Sequence, residues 1–119
     1  MDVQLKRVYD AVAPDDGYRV LVDRLWPRGV SKEKAHLDLW LKDAAPSPEL
    51  RTEWHHHPEH WDEFSAAYRA ELATNPAVET LGDLAAEHPR VTLLYAAHDP
   101  ERNHVVILRD VLKQRFSVA

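Results

Sequence analysis

The chain has 119 residues, 45% hydrophobic and 29% charged, a size and balance that predict one globular domain over residues 1–119. No apolar run approaches the ~20 residues of a membrane helix, and the absence of cysteine excludes disulfides and thiol chemistry. The formal net charge of -5 argues against nucleic acid as a partner, and the opening Met1-Asp2-Val3-Gln4-Leu5-Lys6-Arg7 lacks a secretory pattern, so the expected location is the cytoplasm.

Val3 to Tyr9 alternates weakly, as an edge strand does. Pro14-Asp15-Asp16-Gly17 is a turn, and Tyr18 to Leu25 reads as a central strand, apolar on both faces at Val20, Leu21 and Val22. Pro27 stops it, because proline has no N–H for the ladder. Ser31 caps a short helix over Lys32 to His36, and Leu37 to Lys42 alternates like a half-buried strand. Ser47 and Pro48 open a helix that runs to about Trp54. Pro58 opens the next, with Trp61, Phe64, Ala67/Tyr68 and Leu72 on one stripe and Asn75-Pro76 as its end.

Val78, Leu81, Leu84 and Ala85 mark a further amphipathic helix stopping at His88-Pro89. Val91 to Ala97 is the clearest buried strand. A polar loop follows from His98 to Arg102, then a helix from Asn103 to Phe116 that turns Val105, Leu108, Val111 and Leu112 inward. The predicted fold is α/β, a small mixed or parallel sheet flanked by helices. Acidic residues such as Asp62, Glu63, Glu71, Glu79, Asp83 and Glu87 fall on outer helix faces as a solvated surface.

If the strands at Tyr18–Leu25 and Val91–Ala97 lie parallel and adjacent, their carboxyl ends meet at one sheet edge, where α/β proteins place ligands. Arg24, Trp26, Arg28 and Gly29 would then face Tyr95, His98, Asn103 and His104. Two arginines grip phosphate or carboxylate bidentately, and a glycine lets the backbone approach. The alternative is a structural ion pair of Arg24 with Asp23 or Asp99. Trp26 either stacks on a planar ligand or covers the sheet edge.

Asn103 is an N-cap at a helix end that also suits an anion. His104 is the candidate acid or base, and Tyr95 points either to cleft or to core. The expected ligand is a small anionic molecule such as a phosphorylated or carboxylated metabolite, either bound or acted on by acid–base or hydrolytic chemistry without a thiol. The competing reading is a non-catalytic module that offers Arg24, Trp26 and Arg28 to a protein partner. No cofactor is implied, and the oligomeric state is not encoded in any pattern here.

His55, His56, His57 and His60 raise a metal question. His56 and His60 would share a face of a continuous helix, but Pro58 breaks it and no third ligand is dictated. No physiological metal is therefore expected, and chance nickel or zinc binding is the simpler reading.

One long block, Val20-Leu21-Val22-Asp23-Arg24-Leu25-Trp26-Pro27-Arg28-Gly29, resembles the DUF488 family and within it the small YeaO-like branch. The likeness continues through Trp40-Leu41-Lys42-Asp43, Ala45-Pro46-Ser47, His57-Pro58 with Trp61, Phe64 and Tyr68, Val91 to Ala97, and Asn103-His104. It implies a compact α/β domain and leaves function open. A uroporphyrinogen methyltransferase label sometimes attached to such proteins does not suit a chain so short and poor in glycine. Longer DUF488 proteins carry a Cys after the strand matching Val91–Ala97 and Cys-His-Arg ahead of the last helix. Here Tyr95 and Asn103-His104-Val105 stand instead, which removes the thiol and one arginine.

Overall fold

The computed structural model describes residues 2–116. Four parallel strands form one sheet: β1 (Val3–Arg7), β2 (Tyr18–Leu21), β3 (Leu39–Trp40) and β4 (Val91–Tyr95), in the order β1-β4-β2-β3. Among the described residues, five α-helices accompany them: α1 (Lys32–Ala35), α2 (Pro48–His56), α3 (Trp61–Leu72), α4 (Pro76–Glu87) and α5 (His104–Phe116). The expected neighbours do pair in parallel, with Val20 opposite Leu93 and Leu21 opposite Leu94. The α/β fold is as the sequence predicts. Among the described residues, no helix is long and apolar enough to cross a membrane.

Strand alternation divides the core. Val20, Val22, Val91, Leu93 and Tyr95 pack with Phe64, Tyr68, Leu72, Leu81, Leu108 and Leu112 in the larger cluster. Leu21 and Leu94 face the other way, beneath Val8, Trp26, Val30, Leu37 and Trp40. Buried in parallel on both faces, β2 and β4 need the unbroken apolar runs that mark them in the sequence. Each turn supplies its own start signal. Gly17 enters β2 at φ 66, where a Cβ would lie 2.3 Å from the Arg90 carbonyl oxygen. Ser31 and Ser47 accept from the Lys34 and Leu50 amides to cap α1 and α2.

Several boundaries move. β1 ends at Arg7, before Tyr9, and β2 ends at Leu21, although the Val22 amide still donates to Leu94 at 3.1 Å. The strand expected over Leu37–Lys42 shrinks to two residues, because the Leu41 amide makes the last bond to β2 and a 3-10 turn over Lys42–Ala44 follows. α2 runs two residues past Trp54. Pro58 lies in the turn beyond it, so α3 starts only at Trp61. Glu71 is not merely a solvated carboxylate. It accepts from the Ser47 amide at 2.9 Å and the Ser47 hydroxyl at 2.6 Å, fastening α3 to the start of α2.

Candidate functional site

The carboxyl ends of β2 and β4 open into a cleft of about 720 Å³, within the range of small-molecule sites. Arg24, Trp26, Arg28, His98, Asn103 and His104 all line it, as the adjacency of the two strands predicts. The wall also carries Arg51 and His55 from α2, Arg102 from the loop before α5, and Asp23. Sequence reasoning missed these four as site residues. Arg51, Trp54 and His55 sit at i, i+3 and i+4 of α2 and line the cleft together, a spacing that was available as a signal.

The arginines are not equivalent. Arg24 is tied down: its Nε donates to the Pro46 carbonyl at 3.2 Å and an NH2 to Ala45 at 3.3 Å, with Asp43 at 3.7 Å. The structural role weighed for Arg24 is thus real, but its partners are these carbonyls and Asp43 rather than Asp23 or Asp99. Among the described residues, the guanidiniums of Arg28, Arg51 and Arg102 meet no hydrogen-bonding or ionic partner, while all three line the cleft.

His104 stands at the first turn of α5 with its Nε2 2.9 Å from the Val22 carbonyl oxygen and 3.3 Å from Asp23 Oδ1. A carbonyl can only accept, so Nε2 carries the proton in this contact. Asp23 Oδ2 accepts from the Ala96 amide at 2.9 Å, while the buried Oδ1 has no hydrogen-bond partner among the described residues. The pair joins the ends of β2 and β4 to α5. Tyr68 walls the imidazole edge-on at 6.0 Å and donates its hydroxyl to Ala44.

Other expected residues play different parts. Tyr95 is 4% exposed and packs in the larger core cluster, so it takes the core side of the two orientations and does not line the cleft. Burial pushes its phenol above the usual tyrosine value, against the lowering pull of Arg7. Gly29 lies outside the cleft wall, in a turn at φ 77 with open space around it, a positive φ that favours glycine. Trp26 donates Nε1 to Val30 at 2.6 Å and meets Trp40 edge-on at 5.2 Å. Its ring is packed as well as cleft-lining.

Asn103 is the α5 cap: Oδ1 accepts from the Val105 and Val106 amides at 3.0 and 3.1 Å. Those two amides are therefore already answered. Asp99 shapes the preceding loop by accepting from the Glu101 and Arg102 amides, which hold its carboxyl below the usual range. The helix break expected at Pro58 is present: α2 ends at His56, so His56 and His60 share no helical face, and the turn gathers His57, Glu59 and His60.

Residues 2–119 match the family described as the inactive DUF488-N3 subclade, DUF488-N3i. The chain belongs to this family. It is 45% identical over 114 residues to the uncharacterised protein YeaO of Escherichia coli K12, covering 95% of this chain and 98% of that one. It is 42% identical over 113 residues, 95% of each chain, to the uncharacterised Rv3073c of Mycobacterium tuberculosis H37Rv. No solved structure matches.

Proposed function

We propose that the cleft is a binding site for a small anionic molecule, a phosphorylated or carboxylated metabolite. One observation carries this reading. In a chain of net charge -5, the wall presents Arg24, Arg28, Arg51 and Arg102 against a single carboxylate, Asp23. Arg24 is held by the Pro46 and Ala45 carbonyls, but the other three guanidiniums have no internal acceptor among the described residues and, focused in a concave site, are poised for an external oxyanion. His55, His98 and His104 add imidazoles to the same wall. The family's description as inactive and the lack of cysteine both favour binding over turnover.

Acid–base chemistry on the bound anion is the second reading, favoured by Asp23 beside His104. The Val22 carbonyl holds His104 Nε2 with Asp23 close beside it, which leaves Nδ1 for proton transfer. The first test is a thermal-shift screen of phosphate, sulfate, sugar phosphates, nucleotides and dicarboxylates, with Arg28→Ala beside the wild type. A compound at 100 times its dissociation constant adds about 2.7 kcal/mol, several degrees in a domain this size. A shift lost in Arg28→Ala supports the anion site. A flat screen rejects it and turns attention to a protein partner at the same loop, where Leu25 is 57% exposed.

A further inference from the structure

The turn between α2 and α3 carries a second group of side chains, apart from the arginine cleft. His57, Glu59 and His60 each bring a ligand atom to within 4.8 Å of the others. His57 Nδ1 lies 3.3 Å from Glu59 Oε1, and His60 Nε2 lies 3.8 Å from the same oxygen. Ligand atoms at zinc-bond length in a tetrahedron stand about 3.4 Å apart. These separations therefore need only side-chain rotation to close on one ion. All three side chains are exposed.

The backbone already holds the turn. The His60 amide donates to the His57 carbonyl at 3.0 Å across Pro58-Glu59, and the His57 amide donates back to Glu53 at 2.9 Å. The rings of His57 and His60 are stacked, centroids 4.9 Å apart, so both imidazoles lie on one side of the turn. Both border a hollow of about 190 Å³ between α2 and α3 together with Glu53 and Glu63, while Glu59 stands outside its wall. Two imidazoles and a carboxylate form a borderline donor set that suits zinc and its neighbours better than magnesium or calcium.

We propose that this turn binds one divalent ion of the zinc class through His57, Glu59 and His60, with a fourth position open to water. The ion would clasp the end of α2 to the start of α3. The assignment also separates this site from chelation by the histidine run as such, because His56 takes no part.

The test titrates zinc chloride by calorimetry into untagged, EDTA-stripped full chain. The wild type is compared with His56→Ala, His57→Ala, Glu59→Gln and His60→Ala, each checked by circular dichroism for an unchanged fold. The expected result is one zinc per chain, bound at least tenfold more weakly in His57→Ala, Glu59→Gln and His60→Ala and unchanged in His56→Ala. Absence of saturable binding overturns the proposal. So does unchanged affinity in either His57→Ala or His60→Ala, or an equal loss in His56→Ala.

Discussion

Arginine is used in two ways at opposite ends of one sheet. At the amino end of β2, Arg19 is buried with Asp16, and its guanidinium also donates to the Ala35 and His36 carbonyls. Lys6 reaches the same carboxylate at 3.0 Å, and Gln4 and Thr92 complete the network. At the carboxyl end, Arg28, Arg51 and Arg102 line a cleft with no protein acceptor among the described residues. A charge answered from within fixes the fold. A charge left unanswered in a concave site is what the anion site proposed above rests on.

The largest effect belongs to the answered end. Asp16→Ala leaves the Arg19 guanidinium buried without its counterion, which should cost about 3–5 kcal/mol in urea unfolding. Burial pushes the Asp16 carboxyl up, but the Ala13 amide, Lys6 and Arg19 outweigh it and hold the group below its ordinary value of 3.8. Its contribution is therefore complete above pH ~4 and lost as pH falls through the lower folded value. Unfolding measured from pH 6 down to pH 2 should show that loss in the wild type, and Asp16→Asn should flatten it.

At the other end the prediction reverses. Arg28→Ala and Arg51→Ala should each weaken anion binding about tenfold or more, while stability stays within about 0.5 kcal/mol. Calorimetry and urea unfolding on the same variants separate the two effects. Arg24 sharpens the contrast, since it lines the cleft yet holds the Ala45 and Pro46 carbonyls. Arg24→Ala should lose about 1 kcal/mol of stability. Leu25→Ser, at an exposed rim position, should change neither stability nor anion affinity by more than about 0.5 kcal/mol.

Much of this contrast was legible in the sequence. The apolar runs at Val20–Val22 and Val91–Leu94 mark two strands buried on both faces; their parallel adjacency is only a condition in the sequence and is supplied by the structure. That adjacency brought Arg24, Arg28, His98 and His104 to one edge. Ser47-Pro48 and Asn103 announced helix starts with side chains that do cap them. What stayed hidden was long-range or two-sided. Asp23 answers an amide 73 residues away and leaves no local trace.

Tyr95 ended a strand apolar on both faces, so alternation alone could not choose between core and cleft. Arg19 was lost inside an apolar run, although its partner lies only three residues earlier. Arg51 escaped because α2 was read for its ends rather than for the face it presents.

The most direct measurement is a nitrogen-15 NMR titration with inorganic phosphate that follows the arginine side-chain Nε–H signals. Saturable shifts at Arg28, Arg51 and Arg102, with Arg19 unmoved, are the expected result. Shifts that never saturate, or that appear equally at Arg19, would contradict an anion-binding cleft.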